Sequence, residues 1–117
     1  MGYCIEYATG GGVLRAVVSG RCAFDSAIAE DISEVARDSA VRHVLIDVRK
    51  LRDRLGRLRS ILAARHAPER IAVVDSWQHD SHYVFAELAA KARGTLLKRF
   101  DREHEALRWL QFGSEPA

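Results

Sequence analysis

The chain has 117 residues, 48% of them apolar and 29% charged, with a formal net charge of +2 at pH 7. That length sets one domain and buries roughly two thirds of the surface an unfolded chain exposes, so a core forms without disulfides or a structural metal. Charge this close to balance gives no general footprint for nucleic acid, and the two cysteines, Cys4 and Cys22, form neither a CxxC pair nor a zinc spacing.

Both cysteines are expected as small apolar residues of a reducing compartment, without a disulfide between them. No apolar run approaches the length that spans a bilayer. The first residues carry no basic–apolar signal pattern. Glu6 stands where N-myristoylation after Met1-Gly2 needs Ser or Thr. A cytoplasmic protein without a transmembrane segment is the expectation.

Residues 3–7 and 13–19 are β-type runs joined by Thr9-Gly10-Gly11-Gly12, a turn signal, and so predict an antiparallel hairpin that Gly20 ends. Residues 24–39 predict a helix capped by Asp25 or Ser26. Its stripe is Ile28, Ile32, Val35 and Ala36, with Glu30, Glu34, Arg37 and Asp38 opposite and Asp31 on the flank. Residues 41–48 predict a strand around the unbroken run Val44-Leu45-Ile46, which suits coverage on both faces, with Asp47 at its C-terminal end.

A second helix is predicted over 51–65, with Leu51, Leu55, Leu58 and Leu62 on one face. Gly56 weakens its first turns, and Asp53 is an alternative start. Pro68 stops it. Residues 70–75 predict a strand ending in Asp75, and 76–79 a loop. Asp80 or Ser81 then caps a helix to 92, with the stripe Val84, Phe85, Leu88, Ala89 and Ala92, and Gly94 as its stop. Residues 95–100 predict the last strand. Asp101 caps a last helix that turns Ala106, Leu107, Trp109 and Leu110 inward, with Glu103 and Glu105 at its positive end. Residues 113–117 predict a frayed tail after a single domain over 1–112. The order ββαβαβαβα is that of an α/β domain: a mixed five-stranded sheet, an N-terminal hairpin followed by parallel strands, and helices packed on the sheet.

Three stretches resemble the SpoIIAA-like branch of the STAS fold, the family of bacterial anti-sigma-factor antagonists. They are Val17-Val18-Ser19-Gly20-Arg21 before an acid-capped helix; Val44-Leu45-Ile46-Asp47; and Arg70-Ile71-Ala72-Val73-Val74 together with Phe100-Asp101 and Glu105-Ala106-Leu107-Arg108-Trp109-Leu110. The likeness covers nearly the whole chain, and the order of the motifs carries most of it. The resemblance implies a binding or regulatory module rather than an enzyme, with no cofactor. It also implies a place for a phosphorylated Ser or Thr before a Gly at the start of the second helix. Here that place reads Asp53-Arg54-Leu55-Gly56, so both hydroxyls are replaced and the chain resembles a divergent member without the phosphoswitch.

Two constellations stand out. Arg49, Lys50, Arg52, Arg54, Arg57, Arg59 and Arg65 crowd one segment in which Asp53 is the only acid. Arginines of this kind either lie along the core edge in water or grip an anionic partner. The second constellation follows from topology. Open α/β sheets bind ligands beyond the C-terminal ends of their parallel strands. Asp47 and Asp75 lie at two such ends, with Arg49, Ser76, Trp77 and His79 beside them. His79 and His82 have no third ligand near in sequence, so no metal site is predicted. No GxSxG elbow occurs, and the Gly triplet joins strands rather than opening a helix, so no catalytic residue is assigned.

The leading expectation is therefore a non-enzymatic interaction module whose basic second helix suits an acidic protein partner, or that associates with itself as a dimer. A small anionic ligand near Asp47 and Asp75 is the alternative, and lipid or membrane-surface association the third. Nucleic acid is not expected.

Overall fold

A computed structural model describes residues 3–20, 25–51, 69–75, 88, 91–92 and 94–112. Five strands, β1 (Tyr3–Gly10), β2 (Val13–Gly20), β3 (His43–Leu51), β4 (Arg70–Val74) and β5 (Leu96–Phe100), form one sheet in sequence order. β1 runs antiparallel to β2, and β2 to β5 run parallel. Two helices are described in full, α1 (Asp25–Asp38) and α2 (Glu103–Phe112). The mixed sheet with an N-terminal hairpin is the architecture the sequence predicts.

The hairpin is closed by Gly11 and Gly12, with Gly10 opposite Val13. Both turn residues have positive φ, 61° and 78°, which is the two-residue primed geometry whose twist matches that of the strands. β-Alternation then sorts β2 to β5 into two apolar sets. Leu14, Ala16, Val18, Val44, Ile46, Val48, Ile71, Val73 and Leu97 pack with Ile32 and Ala36 of α1. Val13, Leu45, Ala72, Val74 and Phe100 pack with Ala106, Trp109 and Leu110 of α2. The helices thus cover opposite faces, which is why Val44-Leu45-Ile46 is apolar without a break. Trp109 meets Phe100 with ring centroids 5.6 Å apart and lies under the Arg70 guanidinium, 5.4 Å from its ring centre.

α1 ends in a Schellman arrangement. Val41 N–H bonds Ala36 C=O at 3.3 Å and Ala40 N–H bonds Arg37 C=O at 3.1 Å, while Ala40 holds φ 56°. Gly94 closes the preceding helical turn the same way, with φ 81° and its N–H on Lys91 C=O.

Four expectations are corrected. β3 does not end at Val48: it runs to Leu51, so Leu51 is a strand residue and not the first leucine of a helix. β2 provides the partner for this extension, pairing Ser19 with Lys50 and Gly20 with Leu51. Leu88 and Ala92, expected on an inward stripe, are exposed. They are helical neighbours four residues apart, and the face they share is turned to water. The last helix starts at Glu103, because Arg102 C=O takes its first bond from Ala106; the Asp101 carboxylate before it accepts from Arg99. Cys4 is free but lies exposed on β1 rather than packed with the apolar residues. The helices predicted over 52–65 and 80–87, Cys22 and the tail over 113–117 lie outside the described residues.

Candidate interaction site

The α2 face carries charge as well as apolar surface. Arg15 and Val17 of β2 lie beside Leu45 and Asp47 of β3, all on this face. Asp47 is 3% exposed. Among the described residues its carboxylate accepts from Arg49, and does so three times: from the backbone N–H at 3.1 Å, from Nε at 3.0 Å and from Nη2 at 2.7 Å. This is the bidentate fork geometry, completed by a local side-chain-to-backbone bond.

A bulge lies beside the fork. Val17 pairs with Asp47, but Ser19 already pairs with Lys50, so Val48 and Arg49 stand opposite Val18 alone. Val48 stays buried with the α1 set, and the Arg49 side chain folds back onto Asp47 on the other face. β4 and β5 end level with Asp47, since Val74 pairs with it and Phe100 pairs with Val74. Arg49, Lys50 and Leu51 extend beyond that level, paired to β2.

Across the same face Arg15 Nε donates to Glu103 Oε1, tying the first turn of α2 to β2. The two pairs feel one another: Arg15 acts on Asp47, and Glu103 acts on Arg49. Burial pushes the Asp47 carboxyl up, but the hydrogen bonds and charge of Arg49, with help from Arg15, outweigh it and hold the group below its ordinary value of 3.8. Arg49 is held more firmly protonated by the same bonds.

Asp75 is fully buried, yet it does not join Asp47. Val74 is the residue opposite Asp47 and shares its face; Asp75 follows it, just past the end of β4. Its backbone N–H bonds Phe100 C=O and its own C=O accepts from Arg99 Nη1 at 2.7 Å, a guanidinium that also donates to Asp101. Of the candidate residues at the strand ends, Asp47 and Arg49 are brought into direct contact. Arg52, Arg54, Arg57, Ser76, Trp77 and His79 lie outside the described residues.

Sequence reasoning missed Arg15 and Glu103. Arg15 gave one local signal, a charge inside the apolar run Val13–Val18. Its partner is 88 residues away, and no spacing rule connects the two. Among the described residues no three of His, Cys, Asp and Glu come together to hold a metal ion, and no helix is long and apolar enough to cross a membrane.

No protein-family model matches the sequence, and no curated protein does. Solved structures do resemble it. The crystal structure of an anti-sigma factor antagonist from Mycobacterium paratuberculosis superposes with TM-score 0.67 at 16% identity, over 94% of this chain and 95% of that one. An uncharacterised protein from Shewanella loihica, of the DUF3478 family and with a SpoIIAA-like fold, gives TM-score 0.55 at 20% identity, over 93% and 94% of the two chains. Strand order, the parallel run after a hairpin and end-to-end coverage of both neighbours agree: this chain has the SpoIIAA-like fold.

Proposed function

We propose that the protein is a regulatory interaction module of the SpoIIAA-like type that works without catalysis and takes an acidic protein surface. The observation that carries this reading is the match along 94% of the chain to an anti-sigma factor antagonist, a protein whose name describes binding to another protein. The charge run from Arg49 through Arg52, Arg54 and Arg57 gives the partner its sign. With Arg54 and Leu55 at the two hydroxyl positions of the related pattern, partner binding is not gated by phosphorylation there.

Reversing Arg54 and Arg57 to Glu tests this. Affinity capture from a lysate of the source cell, quantified against the wild type, should lose acidic partners several-fold, because like charge across an interface costs several kcal/mol. An unchanged partner set, with unchanged mass in light scattering, would overturn the reading. The engagement of Asp47 by Arg49 favours a protein surface over a small ligand held at that carboxylate.

A further inference from the structure

We propose that Arg49 is the anchor for a carboxylate-bearing segment of the protein partner, and that Asp47 is the residue that positions it. The inference rests on the acidic-partner reading above and names the group on this chain that makes the contact. The Asp47–Arg49 pair is neutral in sum but not in what it shows to water. The Asp47 side chain is 4% exposed and the Arg49 side chain 41%. The companion pair has the same bias in weaker form, Arg15 at 39% against Glu103 at 30%. Solvent therefore meets guanidinium on this face, with the compensating carboxylate of Asp47 underneath.

A guanidinium has five N–H donors in a fixed plane. Asp47 occupies Nε–H and one hydrogen of Nη2, which leaves the outer edge of the fork, including both hydrogens of Nη1, for a second acceptor. An exposed arginine normally loses side-chain freedom when it is captured. Here Asp47 and the bulge have already removed that freedom, so the fork is presented in one orientation. Its place adds to this. Arg49 stands past the ends of β4 and β5, and in the sequence it immediately precedes the basic segment that opens with Arg52. Lysine in the same position would keep the charge and lose the planar fork together with its registration on Asp47.

The probe is a fluorescein-labelled peptide of alternating Glu and Ala, read by fluorescence anisotropy at low and high salt, with the Gln–Ala peptide as control. The wild type should prefer the Glu peptide and lose it with salt. Arg49→Lys should weaken binding about tenfold although charge is unchanged. Asp47→Asn should weaken the wild type about threefold and add nothing in the Arg49→Lys background, which a purely structural role would not produce. Circular dichroism confirms that each variant is folded. Wild-type affinity in Arg49→Lys overturns the inference. If Arg54→Glu with Arg57→Glu abolishes binding while Arg49→Lys is silent, the acidic-partner reading stands and this inference falls. A wild type that does not distinguish the two peptides sinks both.

Discussion

The two faces of the sheet are built to different rules. Under α1 every inward side chain from β2 to β4 is aliphatic: Leu14, Ala16, Val18, Val44, Ile46, Val48, Ile71 and Val73. Under α2 the same strands give Val13, Leu45, Ala72 and Val74, but interleave Arg15, Asp47 and Arg70 with them and add the two rings Phe100 and Trp109. Aliphatic packing is indifferent to direction, so the α1 face supplies cohesion. Ion pairs and stacked rings are directional, so the α2 face fixes where particular groups point. A surface meant to be recognised needs the second property.

The largest test of this contrast is truncation in each layer. Trp109→Ala removes the ring that closes the α2 face and should cost about 3–5 kcal/mol, and Ile46→Ala on the other face about 2–5 kcal/mol. Urea unfolding measures both. The double variant should be additive, since the two side chains lie on opposite sides of the sheet and share no packing partner. An unchanged urea midpoint for Trp109→Ala would mean that α2 does not close its face.

Next in size is Asp47→Asn, which should cost about 1–3 kcal/mol at pH 7 by weakening the fork on a buried acceptor. The sign with pH follows from linkage. The folded carboxyl titrates below its unfolded value of 3.8, so its stabilisation is present above that pH and is lost as pH falls through the folded value. The gap between wild type and Asp47→Asn, large at pH 7, should therefore narrow in acid as pH falls below 3.8 and through the folded value. A gap that persists in acid would show that Asp47 acts by shape and not by charge.

The smallest effect lies on the α1 side and runs the other way. Ala40 holds φ 56° at the helix end, a conformation that glycine adopts without a Cβ penalty. Ala40→Gly should raise stability by about 1 kcal/mol, seen as a higher thermal midpoint, while leaving peptide binding untouched. A lower midpoint would put the helix end in a different conformation.

Apolar runs and turn glycines announced the five strands because a covered sheet selects β-branched and aliphatic residues there, as Val44-Leu45-Ile46 and Ile71-Ala72-Val73-Val74 show. The last residues of β3 were hidden, since Arg49 and Lys50 read as a connection to a helix at Leu51 when no bulge is known. Asp47 and Asp75 looked like partners because each follows an apolar run. Whether two strand-end residues share a face depends on register to a single residue, and register is a property of pairing that one strand does not contain. Arg15 and Glu103 meet because α2 crosses back over β2, which local periodicity does not record. Leu88 shows the opposite limit: a leucine at helical spacing marks a face without saying that the face is covered.

β1 closes the sheet on its outer side with Cys4, Glu6, Ala8 and Gly10 exposed along one row and Tyr7 and Thr9 along the other. In those eight residues Glu6 is the sole formal charge. Two copies meeting border to border would bring their Glu6 carboxylates near each other, a repulsion that opposes edge-to-edge pairing at this border.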